Sequence, residues 1–321
     1  MRQVLLPRWG GMRPGIIGAA MLVGAFAHAH AQSAAAAAPA VAPPPAAAAP
    51  PAVASSGGVR DRPLVELGIG GGAGWVPDYP AADQGRFRGI LVPYLIYRGE
   101  LLRSDEEGAR ARARLSDGIE LSLSASGSLP VSSSDNTARR GMPDLDWLGE
   151  IGPTLRMTLW QSPRATRPRR VLLDTPIRAV FSSDWSSVEF RGFTFSPTLA
   201  WEERDLLRPD SRLRLSVAPI FATGRFMEYF YSVGQPYVLP DRPAYDANGG
   251  YLGTRLQASW RMKLTRWLTL VAGGRVENFS GATNAGSPLF RSEWNAAAAI
   301  GLSVALWRSD AMVPSAAEPF D

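Results

Sequence analysis

The sequence predicts an all-β protein, and within that class a transmembrane up-and-down antiparallel β-barrel of ten or twelve strands, preceded by a disordered segment rich in alanine and proline. Three observations predict it. Apolar and polar residues alternate with period two over segments of 9–13 residues, the length that a tilted strand needs to cross a bilayer. Shorter and longer connections alternate between these segments. Aromatic residues gather near the segment ends, as they do in membrane barrels.

An export signal is predicted over residues 1–31. Arg2, Arg8 and Arg13 form a basic region before the apolar stretch 15–27, and Ala29-His30-Ala31 provides the small-x-small pattern that signal peptidases cleave. We expect cleavage before Gln32 and export of the mature chain from the cytoplasm.

Charge and composition change when that segment is removed. The whole chain has 34 basic and 29 acidic residues, a formal net charge of +5, and no cysteine. The mature chain keeps 31 basic residues against 29 acidic ones, a net charge of +2, and loses the only histidines, His28 and His30. Serine–histidine catalysis, histidine-bound zinc and thiol chemistry are thereby excluded. We expect no enzyme activity, metal or cofactor, and no nucleic-acid partner, because no basic block survives.

Residues 32–59 are nearly all alanine and proline, including Pro43-Pro44-Pro45. Such a composition cannot bury a core, and its prolines favour extended polyproline geometry. We interpret this segment as a periplasmic linker that precedes the barrel, which is predicted over residues 60–307.

The strand pattern is clearest over residues 119–129, where Leu121 and Leu123 alternate with Ser122 and Ser124. Eleven segments of this kind occur in the sequence, whereas single-chain bacterial barrels have even strand numbers. The alternation runs from residue 109 to 129 with one exception, Asp117. One long strand there gives ten strands, and a turn at residues 116–118 conceals another strand and gives twelve.

The connections fall into two length classes. Short periplasmic turns and long outer loops are the asymmetry expected of a membrane barrel. The shorter connections are 97–100, 161–169, 203–211 and 264–266, and the longer ones are 76–85, 130–144, 224–249 and 280–291.

Tryptophans near the strand ends resemble the interfacial girdles of membrane barrels. They are Trp75, Trp147, Trp160, Trp201, Trp260, Trp267, Trp294 and Trp307. The pairs Trp147/Trp160 and Trp294/Trp307 are each 13 residues apart. That odd spacing places the two members on opposite faces of a regular strand, which weakens the girdle interpretation unless one member lies beyond the lipid.

Prolines within the predicted strands oppose the barrel prediction, because each removes a donor from the hydrogen-bond ladder. Every strand of a closed barrel has two neighbours, so we expect these prolines at bulges or at the rim. They are Pro93, Pro153, Pro176, Pro197 and Pro219.

Charges of both signs lie on the polar register that faces the predicted lumen. One interpretation is an interior filled by paired side chains, whose ion pairs offset their desolvation. The other is a narrow anion-favouring pore, since arginine outnumbers acid. The residues are Arg110, Arg112, Arg114, Glu120, Glu150, Arg156, Arg178, Glu202, Arg212, Arg214, Arg255, Arg261, Arg275 and Glu277.

Two local motifs have competing interpretations. The glycine-rich stretch 68–74 lacks the lysine and helix of a phosphate loop, so we interpret its glycines as making room for facing arginines. Asp144 and Asp146 could form a metal or acid–base pair, but the favoured prediction is that they anchor a long loop at the barrel rim.

Short motifs recur in a fixed order between residues 64 and 307. The most specific is the block Met142-Pro143-Asp144-Leu145-Asp146 with Glu150, Gly152 and Pro153. The other motif residues are Pro77, Asp78, Tyr79, Pro80, Tyr97, Arg98, Gly99, Ser287 and Pro288. Together these motifs resemble the MipA/OmpV family of outer-membrane proteins. This chain departs from the family pattern in its linker and in a tail at residues 308–321.

The resemblance implies an outer-membrane barrel without enzymatic activity, in contact with outer-membrane lipid. It implies a scaffold that brings together a lytic murein transglycosylase and a penicillin-binding protein. Porin-like channels and surface adhesins are the alternative roles that it implies.

Overall fold

The computed structural model describes residues 62–98, 102–105, 108–116, 118–162 and 167–313. For residues 97–116 that description covers the backbone alone. The predicted signal, the linker, Gly99, Asp117 and the tail beyond Val313 lie outside the described residues.

The described residues form strands joined by one short α-helix and two single turns of 3₁₀-helix. The strands are β1 (Arg62–Pro63), β2 (Val65–Pro77), β3 (Gly85–Arg98), β4 (Leu102–Asp105), β5 (Gly108–Ser116), β6 (Ile119–Ser128), β7 (Trp147–Ser162), β8 (Arg169–Ser183), β9 (Val188–Phe195), β10 (Thr198–Arg204), β11 (Ser211–Ala222), β12 (Gly250–Lys263), β13 (Leu268–Asn278), β14 (Trp294–Arg308) and β15 (Met312–Val313), and α1 spans Gly224–Tyr231.

Strands β2 to β14 form one antiparallel sheet that closes on itself. The last long strand, β14, pairs with the first, β2, through registers such as Val304↔Ile69. Strands β9 and β10 both lie between β8 and β11, so they are two halves of one strand interrupted at residues 196–197. The thirteen segments found in the described residues therefore occupy twelve positions around a closed barrel. The predicted all-β barrel is confirmed.

The strand that raises the number from the predicted ten to twelve lies within residues 109–129. There the sequence allowed either one long strand or two strands joined by a turn. Strand β5 ends at Ser116 and β6 begins at Ile119. Gly118 has a φ of +84°, a left-handed conformation that glycine adopts without steric cost. The alternative of one long strand is wrong, because the chain reverses at this point.

Most of the prolines lie where the ladder is interrupted. Pro153 and Pro176 border a gap between the registers Ile151↔Ala179 and Thr154↔Pro176. Pro197 lies between β9 and β10, and the β11–β12 register shifts just after Pro219. These positions agree with the expectation that the prolines mark irregularities.

Pro93 corrects that expectation. It sits in a regular stretch of the β2–β3 ladder, opposite Ile69. In the described chain, the other edge of β3 pairs with β4 only at Tyr97 and Arg98. Among the described strands, residues 85–93 of β3 pair with β2 alone. Pro93 is tolerated because this is a free edge, and not because of a bulge or a rim.

Two bulges bring the tryptophan pairs onto one face. The β7–β8 register shifts between Thr158 and Trp160, and the β14–β2 register shifts between Ala305 and Trp307. Each shift moves the residues that follow it to the opposite face of the strand. Trp160 and Trp307 consequently point outward and are each 51% exposed. The odd spacing is therefore compatible with two girdles.

The outer face between the tryptophans is apolar. Its exposed side chains include Leu67, Ile69, Phe87, Leu91, Leu121, Leu123, Ile151, Ile177, Phe193, Leu199, Leu215, Leu256, Ile300 and Leu302. Among the described residues, no helix has the length and apolar character to cross a membrane.

The hydrophobic core lies at one end of the barrel. Four long loops, residues 78–84, 129–146, 223–249 and 279–293, fold together there, and we call them the loop plug. Its buried residues include Tyr79, Val131, Leu145, Met227, Phe230, Tyr231, Phe279 and Leu289, packed on Leu148, Val180, Ile220 and Leu252 of the strands. The opposite end of the barrel carries the short turns.

Candidate functional site

The motif aspartate Asp78 is buried where β2 enters the loop plug. Its two carboxylate oxygens accept hydrogen bonds from Arg86 Nε at 2.8 Å and Arg86 Nη2 at 2.9 Å, and Oδ2 also accepts one from Asn136 at 3.0 Å. Burial favours a higher pKa for Asp78, but these hydrogen bonds and the charges of Arg86 and Arg88 outweigh it, so its pKa is lowered. Asp78 therefore holds a charged link between the loops at 78–84 and 129–146.

Motifs far apart in the sequence meet inside the plug. The Tyr79 hydroxyl donates to the carbonyl of Leu289 at 2.8 Å, and Tyr231 donates to that of Pro80 at 2.9 Å. Ser287 in turn donates to the carbonyl of Tyr231 at 2.7 Å. Burial raises the pKa of both tyrosines. The motif residues are thus contacts that fix the loops to each other.

Asp144 and Asp146 act separately and within the loop. The Asp144 carboxylate accepts the backbone N–H of Ser133 at 2.6 Å, which fixes the start of the long loop against its end. The backbone N–H of Asp146 donates to the Tyr229 hydroxyl at 2.6 Å. Burial raises the pKa of Tyr229 to about 12. Within the described residues, no three Asp, Glu, His or Cys side chains gather as metal ligands.

Two arginines are structural members of the plug: Arg139, which sequence reasoning missed, and Arg242, which it interpreted as loop structure. Arg139 is buried and donates to the carbonyls of Phe230 and Pro143, each at 3.2 Å. Arg242 donates to the carbonyls of Ala138 and Arg140 at 2.9 and 3.0 Å. Both lie in long loops, where no period-two pattern indicates an inward side chain.

The short-turn half of the lumen contains a network that we call the ion-pair wall. It consists of Arg156, Arg170, Asp174, Glu202, Arg212 and Arg214. These residues come from β7, β8, β10 and β11, which are adjacent in the barrel. The register analysis missed Arg170 and Asp174, although both lie on the inward parity of β8.

Glu202 is the centre of that wall and is 0% exposed. Its carboxylate accepts hydrogen bonds from Arg170 at 2.6 Å, Arg212 at 2.9 Å and Arg214 at 2.5 Å. Asp174 links the network to β7, because it accepts from Arg156 at 2.7 Å and from Arg214 at 2.8 Å. Both carboxylates therefore bridge arginines on neighbouring strands.

Other predicted lumen charges are also paired. Glu150 lies 3.7 Å from Arg178 and accepts a hydrogen bond from Thr194 at 3.2 Å. Glu277 lies 2.6 Å from Arg255 and 3.7 Å from Arg275. This half of the interior agrees with the filled-lumen interpretation.

The remaining predicted positions lie on β3, β5 and β6 or shape the backbone near the plug. Arg110, Arg112 and Arg114 belong to β5, and Tyr97 and Arg98 end β3, with only their backbones described. Glu120 lies opposite Arg156 in the β6–β7 ladder. Met142, Pro143, Gly152, Pro153, Pro77 and Pro288 shape the backbone at the plug and the adjoining strands.

A cavity of about 540 Å³ lies in the lumen against β2, β3, β12, β13 and β14. One wall consists of small inward residues on β2 and β14, including Gly70, Gly72 and Gly301. Facing them, the cavity is lined by Arg88, Arg261 and Arg275 among others. The glycines of β2 thus leave room beside arginines, as the sequence predicted.

The fold and the interior define the class of this protein. It is a closed antiparallel β-barrel with an apolar exterior, and side chains and a folded loop plug occupy much of its lumen. The family model described as MltA-interacting protein MipA matches residues 69–305, so the chain belongs to this family. No curated protein matches the chain.

A solved structure described as a bacterial polysaccharide outer membrane secretin is similar over 76% of this chain and 99% of that chain, at 11% identity and a TM-score of 0.35. That likeness is too weak to bear on the function.

Proposed function

We propose that this protein resides in the bacterial outer membrane and is a scaffold for murein enzymes. The observation that carries the proposal is the family match, because the family description names MltA as the interacting protein. The partner we propose is therefore a murein transglycosylase of the MltA kind. A penicillin-binding protein is the second partner, on the sequence resemblance alone.

The apolar outer face supports the membrane location. Exposed leucines, isoleucines and phenylalanines cover the barrel between tryptophans at its two ends, the arrangement that lipid and its interfaces favour. In the usual orientation of such barrels the short turns face the periplasm and the long loops face outward. The predicted export signal supports the same location.

The short-turn end is the surface that we assign to the murein enzymes. There β1 pairs with β15 through Arg62↔Val313 and Pro63↔Met312, so the segments leading to the predicted linker and tail start side by side. Leu207, in the turn between β10 and β11, is 70% exposed at this end. A substitution at Leu207 therefore tests contact at this end without removing a buried side chain.

The loop plug and the ion-pair wall favour a scaffold over a channel. The plug packs a hydrophobic core across the long-loop end, and the wall joins strands across part of the lumen. We expect planar-bilayer recordings of the full chain to show no steady conductance. The adhesin alternative would use the outer face of the loop plug, where Leu239 is 46% exposed. The proposed role requires no catalysis and no cofactor.

Crosslinking in intact envelopes tests the scaffold. Murein transglycosylase should co-purify with the wild-type chain, and Leu207→Asp should reduce its recovery several-fold because that leucine lies at the periplasmic end. Leu239→Asp, a matched change at the opposite end, should leave recovery unchanged. Deletion of residues 32–59 tests the linker separately.

If no murein enzyme is recovered with wild-type protein, the scaffold proposal is wrong. Loss of recovery with Leu239→Asp alone would place the docking surface at the long-loop end and contradict its assignment to the short-turn end.

A further inference from the structure

Both ends of the barrel carry tryptophans, but the charged residues beside them differ in sign. The short-turn girdle lies near the ends of β7, β10, β12 and β14 and consists of Trp160, Trp201, Trp260 and Trp307. The long-loop girdle lies at the other end of the barrel and consists of Trp75, Trp147, Trp185 and Trp294. Like Trp160 and Trp307, the other two members of the short-turn girdle point outward, since they share their strand faces with the exposed Leu199 and Leu256.

Acidic residues adjoin the long-loop girdle. Asp146, Asp184 and Glu293 each directly precede one of its tryptophans. The loops at this end contain ten acidic residues and five arginines, a net charge of −5, over residues 78–84, 129–146, 184–187, 223–249 and 279–293. The long-loop end is therefore negatively charged overall.

Basic residues follow the short-turn girdle instead. Three turns lie beyond it, and their described residues 167–169, 203–210 and 263–267 contain six basic and three acidic residues, a net charge of +3. One of the acidic residues, Glu203, is buried and pairs with Arg169 at 3.3 Å. Each turn also has an exposed arginine, and these are Arg167, Arg208 and Arg266. Positive charge is therefore present in every one of these turns.

The basic layer begins directly beyond the tryptophans on the outer surface. Trp160 pairs with Val171 across the β7–β8 ladder, and Ser162, on the same face, pairs with Arg169. The side chain of Arg169 is 47% exposed. Two residues of a strand rise by about 7 Å. The cations thus lie about one headgroup beyond the edge of the apolar surface.

The exposed arginines also stand beside exposed apolar side chains. Arg208 follows Leu207, which is 70% exposed. The Arg266 guanidinium lies 5.4 Å from the centre of the Trp267 ring, and Trp267 is 41% exposed. A cation–π contact of this kind orients the guanidinium and leaves the N–H donors in its plane able to bind an oxyanion. Apolar and cationic groups side by side suit the headgroup layer of a bilayer, where each finds its own environment.

We propose that the short-turn girdle and the three exposed arginines beyond it bind phospholipids whose headgroups carry a net negative charge. We call this surface the basic rim. Its tryptophans lie where acyl chains meet headgroups, and Arg167, Arg208 and Arg266 attract the anionic headgroups of the next layer. The long-loop end does not share this preference, because its net charge is negative. The inference rests on the proposed membrane location and not on the scaffold role.

Electron spin resonance of the full chain in phosphatidylcholine vesicles tests the selectivity. Spin-labelled phosphatidylglycerol and phosphatidylcholine with the same acyl chains are compared by the fraction that is motionally restricted at the barrel surface. A cation near the membrane surface favours an anionic lipid about fivefold, and one of the two leaflets meets the basic rim, so the average preference for phosphatidylglycerol should be about threefold. Salt at about 1 M should remove it. Equal association of the two lipids would overturn the proposal.

A triple variant locates the effect at the basic rim. Arg167→Gln, Arg208→Gln and Arg266→Gln together should abolish the preference for phosphatidylglycerol, because they remove the exposed charge without removing a buried side chain. A preference that persists unchanged in this variant would overturn the assignment to these arginines.

The matched control removes three exposed arginines from the long-loop end. It combines Arg140→Gln, Arg225→Gln and Arg291→Gln and should keep the preference. Equal loss of preference in the two triple variants would contradict the proposal, because the total charge of the protein would then select the lipid.

Sedimentation with purified murein tests another anionic partner at the same end. Murein binding that is lost in the rim variant, together with equal association of the two lipids, would overturn the lipid assignment in favour of the cell-wall polymer. Heat-modifiable gel migration shows that each variant is folded and inserted. Failure of the wild-type chain to insert would contradict the membrane location and this inference with it, whereas insertion without lipid selectivity contradicts the inference alone.

Discussion

The loop plug and the ion-pair wall both fill the barrel, but by different physical means. The plug buries tyrosine, phenylalanine, leucine and methionine side chains. The loop carbonyls among them accept hydrogen bonds from Arg139, Arg242 and Ser287. The wall contains charged side chains whose partners lie on adjacent strands. Deleting a buried apolar group costs free energy that grows with the cavity it leaves, whereas removing one partner of a buried charge network leaves an uncompensated charge. This comparison teaches that the two regions should respond differently to substitution.

The largest effect is expected in the wall. Glu202→Ala leaves Arg170, Arg212 and Arg214 without their shared acceptor, and removing one partner of a buried ion pair costs about 3–5 kcal/mol. Urea unfolding, followed by the fraction of heat-modifiable protein, measures it. Glu189→Ala is the control, since the Glu189 side chain is 59% exposed beside Arg191 and such a pair contributes no more than about 1 kcal/mol. Equal effects of both changes would contradict the assigned role of Glu202.

A smaller and local effect is expected in the plug. Met227→Ala removes a fully buried side chain of α1, which costs about 3 kcal/mol of local packing. Because the plug consists of loops and not of barrel strands, trypsin should cleave residues 224–249 faster while heat-modifiable migration stays normal. Leu239→Ala, at an exposed position in the same loop, should leave cleavage unchanged. A global loss of the barrel in Met227→Ala would mean that plug and barrel unfold as one unit.

The smallest effect is the pH dependence of the plug. The pKa of Asp78 is held below the ordinary value of an aspartate by Arg86 and Asn136, so its stabilising contribution is complete above about pH 4 and is lost as the pH falls through the lowered folded value. Hydrogen exchange of residues 130–136, corrected for the intrinsic rate, should therefore increase below pH 4. In the Asp78→Asn variant these amides should exchange faster at neutral pH, and their exchange should not increase further below pH 4. If the increase below pH 4 persists in Asp78→Asn, it comes from another carboxylate and contradicts the role assigned to Asp78.

The strand pattern could be read from the sequence because alternation along a strand is a local property. The inward parity predicted Glu150, Arg156, Glu202 and Glu277 as lumen residues, and the same parity would have identified Arg170 and Asp174 in β8. The bulges at Trp160 and Trp307 could not be read in this way, because a one-residue insertion in a ladder has no local signature here.

The contacts of the plug were beyond sequence reasoning for another reason. Tyr79 and Leu289 are 210 positions apart, and Arg139 and Phe230 are 91 apart. No period relates such residues, since loops have no repeating geometry. The motif residues could be named from the family resemblance, but the resemblance does not say which of them touch.

The sequence by itself determined the all-β class, the alternation of a polar inside with an apolar outside, and the concentration of charge in the lumen, since these follow from the two-residue period of an extended chain. Tertiary structure alone decided the twelve strand positions, the plug, and the division of the lumen into a paired half and an open half. Those features depend on which strands become neighbours and how far each ladder extends. The small residues of β2 and β14 leave a cavity beside them because neighbouring strands bring glycines and alanines together on the inner face.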